Sequence, residues 1–211
     1  MKSKTFCILP WVHAATLPDG NVQLCCVSGG GSGVNLNEQT LADYWKSTYV
    51  EDVRRRMLAG QEVTACQHCY HEEAHGCKSH RIAENEVWLK QYGEEAVHEL
   101  ISKTTADGTL DATLQYIDLR LGNTCNLQCV MCQPRESSRW LQAAMRLSEL
   151  YLNEELKAEG KFQLAIDASR FEWYRNVEFW NNLKRLPSVT KYLPRFLIVY
   201  FSYPIYSKML N

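Results

Sequence analysis

The residue type most able to do chemistry in this chain is cysteine. Nine cysteines occur among 211 residues. They form three groups along the chain: Cys7 with Cys25 and Cys26; Cys66, Cys69 and Cys77; and Cys125, Cys129 and Cys132. The odd count and the absence of a secretory signal after Met1 argue against a disulfide framework. Clustered free thiols in a reducing cytoplasm indicate metal binding.

The third group has the spacing C-x3-C-x2-C over Cys125, Cys129 and Cys132. Thiolates are soft ligands suited to iron–sulfur clusters, and a loop with this spacing can wrap around one. Three ligands leave one iron of a [4Fe–4S] cluster open, and an open iron can chelate the amino and carboxylate groups of S-adenosylmethionine. The alternatives are a structural zinc site, which favours paired C-x2-C units and four ligands, and three core cysteines.

The segment Tyr116–Cys132, read as YIDLRLGNTCNLQCVMC, resembles the first strand and cluster loop of the radical S-adenosylmethionine superfamily. This resemblance implies a catalytic [4Fe–4S] cluster on the third cysteine group and reductive cleavage of S-adenosylmethionine to a 5′-deoxyadenosyl radical. The family usually has an aromatic residue before the third cysteine, near the adenine. This chain has Met131, whose polarizable side chain can also pack against a purine.

The first two groups read C-x12-G-x4-C from Cys7 to Cys25, then C-x2-C from Cys66 to Cys69. The pattern is similar to the SPASM and twitch domains of radical S-adenosylmethionine enzymes, here placed at the N-terminus, and the resemblance covers roughly residues 5–185. It implies an auxiliary [4Fe–4S] cluster. The expected ligands are Cys7, Cys25, Cys66 and Cys69.

Several assignments around the auxiliary cluster stay open. Cys26 can replace Cys25, since neighbouring strand residues point to opposite faces, and Cys77 is a spare thiol. A zinc ribbon made by the same four cysteines is the alternative metal site. The adjacent basic residues are either solvated or placed to neutralise an anionic cluster or a substrate carboxylate. They are Lys78, His80 and Arg81, beside the further histidines His68, His71 and His75.

The strands and helices predicted around these thiols indicate an α/β fold. A hairpin is expected from strands at 6–12 and 22–27, followed by a helix over 41–58, a cysteine loop over 66–77 and a helix over 79–102. A buried strand over 114–121 precedes the third cysteine group, and a helix over 136–159 follows it. Residues 1–104 would form a small α+β twitch domain, and residues 113–190 the first β–α units of an incomplete TIM-like barrel.

The residues from 191 to 211 depart from the family pattern. They contain neither glycine nor an acidic residue, where the relatives carry a Gly-Gly-Glu-type motif. A full eight-stranded barrel takes ~250 residues, far more than follow Tyr116. We therefore expect a truncated barrel with an out-of-frame tail.

The charge of the chain limits the classes of partner that it can be expected to bind. Lys+Arg number 23 and Asp+Glu number 24, for a net charge of -1, which gives no support to nucleic-acid binding or a membrane-bound role. We expect a cytoplasmic protein. The resemblance implies a peptide or protein substrate and an electron donor such as a flavodoxin or ferredoxin. The competing functions are a non-catalytic zinc-ribbon module and an iron–sulfur electron carrier.

Overall fold

The computed structural model of the chain describes residues 4–151, 168–185 and 197–200. Its strands are β1 (His13–Thr16), β2 (Val22–Gln23), β3 (Tyr116–Arg120) and β4 (Leu197–Tyr200). Its helices are α1 (Leu9–Val12), α2 (Leu41–Trp45), α3 (Thr48–Leu58), α4 (Gln67–Ala74), α5 (His80–Ser102), α6 (Ser138–Tyr151) and α7 (Val177–Arg185), with 3₁₀ turns at Thr64–Cys66 and Ala168–Arg175. The mixed α/β class predicted from the sequence is confirmed, whereas the incomplete TIM-like barrel stays a prediction.

One mixed sheet joins the N-terminal part of the chain to the strand before the third cysteine group. The strand order is β2-β1-β3-β4. Strand β1 pairs antiparallel with β2 and parallel with β3, with Ala15 opposite Asp118. Strand β4 adds to the other side of β3 in parallel. The two predicted domains therefore share a sheet, and the cysteine loop after β3 begins beside the N-terminal elements.

The N-terminal hairpin differs from the sequence prediction. Residues 6–12 do not form its first strand: the segment turns into the short helix α1, and the strand begins only at His13. Pro10 lies in the first turn of α1, where its missing N–H is not needed and its fixed φ suits a helix. Gly20 makes the tight turn to β2 with a φ of 83°.

The boundaries of the helices after the hairpin are set by capping residues rather than by the spacing of apolar residues. The predicted helix over 41–58 is two helices, because Ser47 accepts a hydrogen bond from the Val50 N–H and starts α3 anew. Thr40 caps α2 through a reciprocal capping box with Asp43. Gly60, with a φ of 71°, follows the end of α3.

The predicted cysteine loop over 66–77 is wrong in part, since α4 occupies most of it. The predicted helix over 79–102 is confirmed as α5, with a break at Gly93. The helix predicted over 136–159 is present as α6, and its residues beyond Tyr151 lie outside the described residues. The same holds for the predicted tail over 191–211, apart from the four residues of β4.

The segment around residue 108, between the two predicted domains, is packed against the core. A Cβ on Gly108 would lie 2.0 Å from the carbonyl oxygen of Glu51, and its φ of 95° also favours glycine. Arg54, only 1% exposed, donates to the carbonyl of Pro10 at 2.9 Å and stacks over the Trp45 ring at 4.4 Å.

Within the described residues, no helix is long and apolar enough to cross a membrane.

Candidate metal centres and the cavity beside them

Four thiols from separate elements line one small cavity of about 290 Å³, its mouth included. Cys7 precedes α1 and Cys25 follows β2, while Cys66 ends the 3₁₀ turn and Cys69 lies in α4. These are the four cysteines that the sequence predicts as ligands of the auxiliary cluster. All nine cysteines of the chain are free thiols.

Burial keeps the thiols of Cys7, Cys25 and Cys66 protonated unless a cation is present. Loss of solvation, together with a smaller effect of the neighbouring thiols, raises the pKa of Cys7 well above its usual range, the pKa of Cys25 to about 11 and that of Cys66 to about 12. Thiolates are the metal-binding form of cysteine, so binding a cationic centre would release protons from the site. The donor set of four converging thiols therefore suits an iron–sulfur cluster, and it also suits zinc.

The four thiols surround a cavity rather than a point. Within the described part of the chain, no three His, Cys, Asp or Glu side chains converge as ligands of one metal ion would. A cluster presents several iron atoms to its ligands, so its thiolates approach from around a volume. The four thiols are therefore a candidate donor set for either of the two metal sites that the sequence allows.

Arg81 supplies positive charge to the four-thiol cavity that it lines. Its guanidinium forms an ion pair with Glu73, its Nε lies 3.0 Å from the Glu73 Oε1, and its Nη1 donates to the Phe6 carbonyl at 2.6 Å. These contacts fix a cation next to the thiols. Lys78, by contrast, is exposed and lies 2.5 Å from a carboxylate oxygen of Glu86.

The remaining cysteines of the first two groups lie elsewhere. The Cys26 thiol faces a second, larger cavity, where its Sγ is 3.8 Å from the Nε2 of His80. Cys77 is exposed and lines neither cavity. His68 and His75 are exposed on or beside α4, in line with the solvated alternative for these histidines.

The third cysteine group forms the loop between β3 and α6. Cys125 and Cys132 are half-buried and Cys129 is exposed. The pKa of the Cys132 thiol is raised by loss of solvation and by the nearby thiols of Cys129 and Cys125. The three predicted ligands are thus close enough to interact, and they stand at the surface.

Side chains at the start of α6 hold this loop in place. The Ser137 hydroxyl donates to the Leu127 carbonyl at 2.8 Å, and the Trp140 indole N–H donates to the Cys129 carbonyl at 2.9 Å. Ser138 bonds both the N–H and the carbonyl of Cys125 at 3.2 Å. Sequence reasoning missed these residues, although Ser-Ser before a helical segment is a cap signature that could have indicated them.

The tip of the loop is apolar and open. Val130 is 99% exposed and Met131 is 91% exposed. Met131, predicted to pack against the adenine of S-adenosylmethionine, lines the larger cavity together with Cys132. Neighbouring apolar side chains that are exposed in this way are typical of surfaces that bind a ligand or a partner.

The larger cavity, about 1800 Å³ with its mouth included, lies between the two cysteine sites. The loop of the third group lines one side, and Cys26 and His80 line another. Leu9 and His80 border both this cavity and the four-thiol cavity, so the two spaces share a wall. A separate groove of about 1170 Å³ between residues 36–42 and α7 is lined by neither cysteine nor histidine.

Alternation along β3 gives the larger cavity its polar wall. Ile117 and Leu119 point into the core, whereas Tyr116, Asp118 and Arg120 line the cavity. The strand was predicted only as a mostly apolar, buried segment, so its polar face was missed. The polar residues at every second position were the available signal.

His13 contributes a neutral ring to the same cavity. It is buried, its Nδ1 lies 3.2 Å from the Leu24 carbonyl, and its ring centroid is 4.4 Å from that of Tyr116. Burial and, to a smaller extent, the nearby His80 lower its pKa to about 3. His13 therefore carries no charge at neutral pH, and the charge of the cavity depends on other residues.

Comparison with known families supports the N-terminal site. Residues 7–70 match the SPASM family, described as an iron–sulfur cluster-binding domain. The matched segment begins at Cys7 and includes Cys25, Cys66 and Cys69, the other three thiols of the cavity. This part of the chain is therefore similar to iron–sulfur cluster-binding domains. No curated protein and no solved structure matches the chain.

Proposed function

We propose that this chain is a radical S-adenosylmethionine protein with two [4Fe–4S] clusters, acting on a peptide or protein substrate. The observation that carries the proposal is the larger cavity. Cys132 and Met131 of the C-x3-C-x2-C loop line one side of it, and Cys26 and His80 line another. His80 also borders the four-thiol cavity, so a molecule bound between the two sites would contact both.

Cys125, Cys129 and Cys132 would hold the catalytic cluster. The chemistry that such a cluster supplies when bound is transfer of one electron to the sulfonium of S-adenosylmethionine, which releases methionine and a 5′-deoxyadenosyl radical. The chain's own residues keep the loop open at its tip and fixed at its base. Ser137 and Trp140 bind loop carbonyls, while Met131 offers an apolar surface to the adenine.

Cys7, Cys25, Cys66 and Cys69 would hold the auxiliary cluster. Their burial limits solvent access, and Arg81 offsets part of the negative charge that four thiolates bring. This site would relay electrons or bind substrate, with the first electron supplied by a flavodoxin or ferredoxin. The substrate class follows from the resemblance to SPASM-containing enzymes, and it is an analogy between families.

Anaerobic reconstitution of the full chain tests the proposal. We expect about eight iron atoms and a matching amount of labile sulfide per chain, four of each per cluster. Reduction with dithionite in the presence of S-adenosylmethionine should give 5′-deoxyadenosine, measured by mass spectrometry. Cys129→Ser should abolish this product and remove about half of the iron. Cys77→Ser is the matched control, because this thiol lines neither cavity, and it should change neither quantity.

Two other outcomes would contradict the proposal. Bound zinc without labile sulfide would indicate the zinc-ribbon module, which the complete set of four thiols also allows. Two clusters without any 5′-deoxyadenosine would indicate an electron carrier.

A further inference from the structure

We propose that Asp118 makes the larger cavity a binding site for a primary ammonium group. The inference rests on the proposed function, because it takes this cavity as the place where the reactants are bound. It assigns a chemical class to the group recognised there, and it names the residue that recognises it.

Asp118 is a carboxylate for which the described part of the chain supplies no hydrogen-bond partner at its buried oxygen. It lies in the middle of β3, between two parallel strands, and is 6% exposed. Its side chain faces the larger cavity. Among the residues that the structure describes, the Oδ1 of Asp118 is buried and accepts no hydrogen bond.

A buried polar atom without a partner is costly, and more so when it is charged. Proteins keep such an atom where a ligand supplies the missing donor. A binding site often lowers the stability of the protein while the site is empty. A primary ammonium group fits, because it is a compact cation with three donors and needs only one acceptor oxygen from the protein.

The other two carboxylates of the cavity, Glu84 and Glu136, each have a basic side chain nearby. The Nη1 of Arg120 lies 3.5 Å from an oxygen of Glu136. The Nε2 of His80 lies 4.0 Å from an oxygen of Glu84. Among the described residues, neither Arg120 nor His80 lies within ion-pair distance of Asp118. Asp118 is therefore the one carboxylate of this cavity without a basic side chain beside it, and it is also more deeply buried than Glu84 and Glu136.

A primary ammonium is preferred over two other cations. A guanidinium binds best through two parallel hydrogen bonds to both oxygens of a carboxylate. An ammonium needs only one acceptor, and the Oδ1 of Asp118 is the oxygen that is both buried and unpartnered among the described residues. A metal ion needs several ligands, and no three suitable side chains converge in the described residues. The ammonium can come from a lysine side chain of the substrate or from the methionine end of S-adenosylmethionine.

Equilibrium binding to the full chain tests the proposal. Wild-type protein should bind N-acetyl-lysine amide about tenfold more tightly than N-acetyl-norleucine amide, which has a comparable chain without the charge; this is roughly the effect of one ion-paired contact. Asp118→Asn keeps the size of the side chain and removes its charge, so it should abolish the preference. The matched control is Asp111→Asn, an exposed aspartate outside the cavity, and it should retain the preference.

A second arm identifies the source of the ammonium. The binding of S-adenosylmethionine is measured on the reconstituted chain with and without Asp118→Asn. A loss confined to the lysine amide assigns the site to the substrate, and a loss confined to S-adenosylmethionine assigns it to the cosubstrate. If Asp118→Asn changes neither, or if the wild type shows no preference for either ammonium ligand, the inference is wrong.

The binding assay with the lysine amide needs no cluster and no turnover. A chain that prefers the lysine amide but makes no 5′-deoxyadenosine would contradict the proposed function alone. The wild-type comparison also needs no variant, so a missing preference for the lysine amide excludes the substrate as the source of the ammonium even if Asp118→Asn were to fold poorly.

Discussion

Cys25 and Cys26 are neighbours in the chain, yet their thiols line different cavities. Cys25 belongs to the four-thiol cavity, and Cys26 lines the larger cavity near His80. The separation arises in a turn after β2, closed by a hydrogen bond from the Ser28 N–H to the Cys25 carbonyl at 3.1 Å. The strand alternation considered at the sequence level is therefore not its cause.

The two thiols should differ in their effect on iron content. Cys25→Ala removes one of the four thiols that line the small cavity, and we expect it to lower the iron bound after anaerobic reconstitution by about four atoms per chain. Cys26→Ala should leave the iron content unchanged and serves as the matched control. Equal losses from both variants would show that Cys26 also binds the cluster.

Arg81 should support both the stability of the fold and the retention of iron. Arg81→Met leaves the partly buried carboxylate of Glu73 without its partner, and we expect a loss of about 3 kcal/mol in the free energy of unfolding of the apo chain, measured in urea. Iron retention should also fall, because the positive charge beside the thiols is lost.

Glu73→Gln separates the two effects of Arg81. It breaks the same ion pair but keeps the cation that lines the four-thiol cavity. This variant should be destabilised while retaining more iron than Arg81→Met. Equal iron losses in the two variants would indicate that Arg81 acts through the fold alone.

Ser137 should contribute to the stability of the loop that carries the third cysteine group. It is fully buried, donates to the Leu127 carbonyl and receives the Trp140 N–H at 3.5 Å at the start of α6. Ser137→Ala should lower the free energy of unfolding by about 1 kcal/mol, the usual effect of losing a helix cap. Ser102→Ala, at the exposed end of α5, is the control, and a larger effect there would contradict this role.

The sequence predicted which thiols come together better than it predicted their surroundings. Cysteine spacing and a turn glycine are local features, so they predicted the four thiols that the structure brings together at Cys7, Cys25, Cys66 and Cys69. Their metal-binding role stays a prediction, supported by the SPASM match.

The features that were missed depend on long-range packing or on competition between local signals. The pairing of β1 with β3 joins segments about a hundred residues apart, and hydrophobic patterns do not specify such partners. The apolar run before His13 resembled a strand, but Pro10 favoured a helical turn. The importance of Asp118 became visible only once its neighbours in the sheet were known.

The stability of the ligand-free chain should depend on the ionisation of Asp118. Burial raises the pKa of its carboxyl above the usual value of 3.8, and the opposing effect of Arg120 is smaller. The folded chain therefore holds this proton more tightly than the unfolded chain, so ionisation of Asp118 lowers stability as the pH rises from about 4 through the raised pKa. Below that window both states are protonated, and the penalty disappears.

Asp118→Asn should remove this penalty. At pH 7 we expect the apo variant to be about 1 kcal/mol more stable than the wild type, the order of the cost of one buried unpartnered group. The difference should shrink as the pH falls below 4, as measured by urea unfolding across the pH range, and Asp111→Asn should show no such trend. A variant that is less stable than the wild type at pH 7 would mean that the fold itself requires the Asp118 carboxylate, whereas a gain in stability combined with a loss of ammonium binding is the behaviour of a residue kept for its ligand.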